Sequence, residues 1–320
     1  IIDPTSNFLR ILWHNGSKKL IKKTSTKMSK KIDFRNNKDA SKSYILYKFA
    51  QNEIKNFLRF CINYFRGKNL QRDTEYVYSL YETRRVDQLN NYTFTTLDEY
   101  IFGSPTSELE KRRWNLFGHK LEFGVGRKIS DKKYSLIEEK VNSTDVEYVV
   151  ELGSGGGRNI LFLANKYPEK KFIGIELSPT SVDLSKRAAE KFNIKNVEFH
   201  ARDLTQKNTY KEFIISKSLV FSMHCLEEMP RIFKIPLGLL KDNEVQGILL
   251  LEPAFIFQPK RHILELLRLL RILYHDRLWG LPNFCKKEFS NKYDITMLDL
   301  GIGNNPVNPT SLVYMKRKKL

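Results

Sequence analysis

Glu151, Gly153, Gly155 and Gly157 form an E-x-G-x-G-x-G run inside "VEYVVELGSGGGRN", directly after an apolar stretch of strand length. Glycine inside an element costs backbone entropy and packs nothing, so such a run serves a sharp turn that something approaches closely. Two further acids sit in similar settings: Glu176 in "GIELSP" and Asp203 in "FHARDL". A dinucleotide fingerprint, G-x-G-x-x-G/A, fits Gly153 and Gly155 but meets Arg158 at its third small position. A carboxylate at 151 would also repel a pyrophosphate.

A second set of candidates follows the segment "SLVFSM". His224 sits just after it, where a histidine is able to take a proton from a hydroxyl. Packing or capping is its structural alternative. Glu227 and Glu228 read as solvated or orienting groups. Glu252, in "LLLEPAF", reads as a substrate contact, a structural hydrogen-bonding group or a cap to the next loop. No H-E-x-x-H or C-x-x-C spacing occurs among the six His and three Cys, so no metal site and no disulfide framework are expected.

The elements that must hold these residues alternate along the second part of the chain. "VEYVVEL", "KKFIGIEL", "VEFHARDL", "SLVFSM" and "QGILLLEP" read as strands. "GRNILFLANKYP" and "SPTSVDLSKRAAEKFN" read as helices, the second with Ser178 as N-cap and Pro179 in its first turn. That order implies a parallel sheet with right-handed crossovers. "YDITMLDL" and "TSLVYMKRK" close the chain as an antiparallel pair, joined by "GIGNNPVNP". Asn304, Asn305, Asn308 and Thr310 in that region read as turn formers.

Residues 1–130 read as a basic, mainly helical extension or cap, with 1–43 flexible, and residues 131–320 as the α/β domain. Helical spacing runs through 43–66 and again through 73–89. "NNYTFTTLDEYIFGSPTS" reads as a connection, and "ELEKRRWNLFGHKLEFGVGRKIS" as a further helix before a glycine loop at 124–126. There the two glycines permit a hinge on which Arg127 and Lys128 meet an anionic substrate, with an ordinary linker as the equal alternative. The stretch "PKRHILELLRLLRILYHDRLWG" carries a narrow polar stripe, Arg261, Glu265, Arg268, Arg271 and His275, so its broad apolar face needs cover. Packing into its own domain is the expectation, with an oligomer contact or a peripheral membrane contact as alternatives.

The 320 residues carry a net charge of +19, which draws nucleic acid, anionic lipid or phosphorylated substrates. No window is long and apolar enough for a membrane span. The first residues lack the pattern of a signal peptide, and a cytoplasmic location is expected.

The ordered set of the glycine run, Glu176, Asp203 and "VFSMHCLEEMP" resembles class I, Rossmann-like S-adenosylmethionine (SAM)-dependent methyltransferases over about residues 145–320. The resemblance implies a seven-stranded, mostly parallel sheet with an antiparallel last strand and helices on both faces. It implies that Glu151, Gly153, Ser154, Gly155, Gly157, Glu176, Leu177, Asp203, Leu204 and Ser222 hold SAM, leaving S-adenosylhomocysteine after transfer. Glu151 would face the ammonium, Glu176 the ribose hydroxyls and Asp203 the adenine. "SMHC" stands where an N-P-P-Y-type tetrad would mark amino-group methylation. The expected methyl acceptor is an oxygen or nitrogen nucleophile. The segments "SMHCLEEMP" and "NNPVNPTSLVY" resemble, more loosely, methyltransferases of bacterial cell-surface saccharide pathways, which implies a sugar or lipid-linked saccharide hydroxyl, with RNA and a non-catalytic SAM-fold protein as the alternatives.

Overall fold

The computed structural model describes residues 50–59, 61, 79, 82–83, 86, 94–103, 114–116, 120–122, 126–229, 233–254, 256, 266–271, 278, 280–303 and 309–319. The chain divides into two units, Ile1–Leu70 and Gln71–Leu320. In the first, residues 50–59 are helical. Glu53 and Phe57, one turn apart, are buried, while Ile54 and Leu58 are exposed.

The second unit is built on a seven-stranded sheet of β3 (Tyr148–Leu152), β4 (Lys171–Glu176), β5 (Val197–Ala201), β6 (Ser218–Met223), β7 (Gly247–Glu252), β8 (Tyr293–Ile302) and β9 (Thr310–Arg317), in the order β5-β4-β3-β6-β7-β9-β8. β3 to β7 are parallel, and β9 is inserted antiparallel between β7 and β8. This is the α/β architecture expected from the sequence. Alternation along the strands separates two apolar layers. Val149, Phe172, Phe221, Leu249 and Tyr314 face one core with α2 (Gly126–Ser143), α3 (Arg158–Lys166) and α4 (Pro179–Lys191). Val150, Ile173, Val220, Leu250 and Met315 face the other with α5 (Lys234–Asp242) and α6 (Leu281–Phe289). Each fully buried Leu, Ile, Val or Phe contributes about 1.5–3 kcal/mol.

α4 starts as the sequence predicts. Ser178 Oγ accepts from Ser181 N, and Pro179 occupies the first turn. Two expectations before residue 130 need correction. The stretch read as a connection contains α1 (Leu97–Phe102). Its signature is a capping box: Thr96 Oγ1 accepts from Glu99 N, and Glu99 Oε2 reaches back to Thr95 and Thr96. The next stretch, read as a helix, instead carries an antiparallel hairpin, β1 (Trp114–Leu116) and β2 (Lys120–Glu122). The helical spacing at 73–89 falls largely outside the described residues, of which 79, 82, 83 and 86 are helical.

α2 runs through the boundary expected at 130/131. It lies across β7 and β9 in the opposite sense to β7. Thr144, just past its end, bonds Tyr314 at mid-strand, while Lys133 reaches the sheet's carboxyl edge. From the apolar stretch after residue 258, residues 266–271 are described and helical, and Arg268 forms a buried ion pair with Asp299 of β8 at 2.7 Å. That portion packs into its own unit. Among the described residues no helix is long and apolar enough to cross a membrane.

Candidate cofactor and acceptor site

The glycine loop leaves β3 where the strand order reverses, with β4 on one side and β6 on the other. Crossovers diverge at such a point and open a crevice beyond the strand ends. Gly153, Gly155 and Gly157 have φ of 71°, 55° and 72°, which side chains resist. A Cβ at Gly153 would also overlap the Cys225 side chain, and one at Gly157 would lie 2.8 Å from the Phe199 ring. Backbone bonds fix the turn. Gly153 N and Ser154 N both donate to Ile175 O, at 2.8 and 3.0 Å. Tyr100 of α1, fully buried, donates its hydroxyl to Gly156 O.

Three acids surround this loop differently. Glu151 is buried, with Oε1 accepting from Asn159 Nδ2 at 2.5 Å. Its Oε2 and the buried Ser154 hydroxyl have no hydrogen-bond partner among the described residues. Burial pushes the Glu151 carboxyl up to about 8, the Asn159 bond opposing and the Glu176 charge adding. A buried carboxylate oxygen without a donor is costly. A ligand ammonium would supply both the donor and the charge. Glu176, at the end of β4, accepts from Gly155 N at 2.9 Å and Ser178 N at 3.0 Å. Leu177 beside it is 47% exposed, an apolar surface for a flat ring. Asp203, two residues past β5, organises its own turn, accepting from Thr205 N and Thr205 Oγ1 at 2.8 Å and from Gln206 Nε2 at 3.1 Å. Leu204 is buried in the core.

A second cluster lies at the same sheet edge, beyond β6, β7 and β9. Glu252, buried at the end of β7, accepts from Cys225 N at 2.9 Å, Leu226 N at 3.0 Å and Glu227 N at 3.2 Å, and from the Ser222 hydroxyl. It therefore folds the turn after β6, and the Ser222 hydroxyl is committed to it. Burial raises Glu252 to about 7, with these hydrogen bonds opposing and the Glu227 charge adding. The turn forces His224 to φ 57°, uncommon outside glycine. Its Nδ1 lies 2.9 Å from Glu227 Oε1, and its Nε2 lies 3.0 Å from Lys133 Nζ and 2.9 Å from Thr310 Oγ1. Cys225, pressed against Gly153, is held as a thiol, since burial and then the surrounding acids raise its pKa.

Residues 143–255 match the family model described as a methyltransferase domain. This part of the chain carries a methyltransferase domain. A tRNA (guanine-N(7)-)-methyltransferase of Thermotoga maritima is 30% identical over 91 residues, covering 26% of this chain and 29% of that protein. A bifunctional glycosyltransferase/methyltransferase of Fusobacterium nucleatum is 28% identical over 144 residues, covering 41% of this chain and 22% of that protein. The chain thus spans less than a third of the length of either curated relative. Among solved structures, magnesium protoporphyrin IX methyltransferase from Synechocystis PCC 6803 with bound S-adenosylhomocysteine aligns at 14% identity and a TM-score of 0.47, over 77% of this chain and all of that one.

In the methyltransferase domain, the residues expected to hold SAM divide by what the structure does with them. Glu151, Gly153, Ser154, Gly155, Gly157 and Glu176 converge on one loop, and the orphaned Glu151 and Ser154 oxygens fit the zwitterionic tail of SAM. Leu177 borders that loop, whereas Asp203, Leu204 and Ser222 make internal contacts. Arg127 departs from expectation. Its guanidinium holds Asp98 with two bonds of 2.9 Å and Asp131 with one of 3.1 Å, so it braces α2 against α1. Gly126 is the first residue of α2, and Gly124 lies outside the described residues. So do Asn304, Asn305 and Asn308, while Thr310 is buried against His224. Sequence reasoning missed Lys133. Nothing in the spacing of Lys128, Lys132 and Lys133 distinguishes the one that turns inward.

Proposed function

We propose that this protein transfers the methyl group of SAM to a hydroxyl acceptor, on a sugar or lipid-linked saccharide. One observation carries the reading: an imidazole with a carboxylate on one nitrogen and an amine on the other stands beside the cofactor loop. Bound there, SAM supplies an already activated methyl group on a sulfonium centre. The chain's own work is alignment, exclusion of water and removal of the acceptor's proton. A hydroxyl needs that last step, whereas a ring nitrogen with a free lone pair does not. Glu151 and Ser154 would bind the methionine tail, Glu176 the ribose hydroxyls, and Leu177 would pack on the adenine. The bifunctional glycosyltransferase/methyltransferase among the relatives is consistent with a saccharide. The basic composition of residues 1–130 favours an anionic acceptor.

RNA is the second reading, favoured by the net charge of +19 and by the similarity to tRNA methyltransferases. The test is transfer of labelled methyl from SAM to two acceptor pools, lipid-linked saccharides and total RNA. Label in the saccharide pool that alkali does not release supports the proposal. Label in RNA alone, with binding that weakens steeply in salt, overturns it in favour of RNA.

A further inference from the structure

The site contains an amine that the family resemblance does not assign. Lys133 projects from the first half of α2 to the carboxyl edge of the sheet, and its Nζ lies 3.0 Å from His224 Nε2. His224 has little freedom to turn away. Its backbone is locked by His224 N donating to Leu251 O at 3.1 Å and by the Glu252 carboxylate holding the next three amides. With Glu227 ionised, a neutral imidazole would carry its proton on Nδ1, toward Glu227 Oε1, and leave Nε2 to accept from Lys133 and the Thr310 hydroxyl.

We propose that Lys133 is the general base of the methyl transfer, held in place by the His224–Glu227 pair. This rests on the hydroxyl-acceptor reading above. As the acceptor oxygen bonds to the methyl carbon, the carbon–sulfur bond breaks with its electron pair left on sulfur. The acceptor's proton passes to the lone pair of neutral Lys133 Nζ. The resulting ammonium donates to His224 Nε2, and the charge is balanced through the imidazole by Glu227.

The groups facing Lys133 set its proton affinity. Among the described residues they are His224 and Glu227 from the turn after β6, Glu252 from β7 and the uncharged Thr310 from β9. Burial lowers Lys133 to about 8, and the Glu227 and Glu252 charges oppose that fall. An ordinary lysine is an ammonium until pH ~10.4, whereas one lowered to about 8 presents a usable fraction of free amine near neutrality.

The experiment is carbon-13 NMR of lysine-labelled full-length protein, with the Lys133 Cε resonance assigned by Lys133→Arg. Titration of that resonance near pH 8, displaced by His224→Asn, is the expected result. Titration at the ordinary lysine position overturns the proposal whether or not the protein binds SAM. The second readout is the pH–rate profile with the acceptor pool that takes label. Wild type should rise through about pH 8, and Lys133→Arg, which keeps the charge but cannot give it up, should lose more than about 100-fold in rate. SAM affinity should stay within about twofold, which separates loss of a base from loss of the fold. Lys133→Arg with an unchanged rate would show that Lys133 is not the base. A protein that fails to bind SAM but whose Lys133 titrates near pH 8 would overturn the methyltransferase reading, and with it the role of Lys133 as base of that transfer, while leaving the proton affinity set by its neighbours as described.

Discussion

The two halves of the carboxyl edge are built on different principles. On the β3–β4 side, a contiguous loop and the adjoining strand end form the site, and backbone hydrogen bonds hold its shape. Ile175 O fixes Gly153 and Ser154, while the Glu176 carboxylate holds Gly155 N. On the β6–β7–β9 side, the site is a set of side chains far apart in sequence: Lys133, His224, Glu227, Glu252 and Thr310. The first half is rigid because glycines let strands and loop approach closely. The second is held by one buried carboxylate, Glu252, and fails if that acceptor fails. Binding a common cofactor suits the first construction, and meeting a particular acceptor suits the second.

The largest effect expected on the first half comes from Gly153→Ala. Its Cβ meets Cys225 at a positive φ. We expect a loss of about 2–4 kcal/mol in stability by chemical denaturation, from overpacking and left-handed strain together. SAM binding should fall below detection. Cys225→Gly in the same chain should recover part of the loss, which a purely backbone effect would not allow.

Glu252→Gln tests the second half alone. The amide leaves one acceptor oxygen where the carboxylate offered two to three amides and a hydroxyl. Methyl transfer should drop by about 100-fold, with SAM affinity changed by less than about fivefold. Equal losses in both would show that the two halves are not separable.

A smaller effect distinguishes the halves by protons. Glu151 holds its proton up to about pH 8 in the unliganded protein. A cofactor ammonium favours the carboxylate, so binding at pH 7 should release a proton, up to about one per site. Calorimetry in buffers of different ionisation enthalpy measures that number directly. It should fall to near zero in Glu151→Gln, and binding should weaken as pH falls from 8 to 6. The smallest effect belongs to the brace outside both halves. Asp98→Asn removes an exposed partner of Arg127 and should cost less than about 1 kcal/mol.

The same contrast explains what was legible in the sequence. Glu151, the glycines and Glu176 are visible because strand ends and a turn put them together locally, and glycine types report backbone geometry. The strands of the sheet are legible for the same reason, as apolar runs bounded by turns. Lys133 and Thr310 are not visible as partners of His224, since only the packing of α2 across β7 and the insertion of β9 bring them there. The hairpin β1–β2 was hidden because its two three-residue strands are too short to show a period of two. α1 was legible in principle, through Thr96 and Glu99, but six residues give no helical period to read.

The most direct measurement is calorimetric binding of SAM and S-adenosylhomocysteine, with NAD and NADP as controls, to wild type and Glu176→Ala. Micromolar binding of the SAM pair, none of the nicotinamide pair, and a loss of at least about tenfold in the mutant are expected. Folded protein that binds neither SAM nor its product, or that binds them unchanged after Glu176→Ala, would contradict the SAM site.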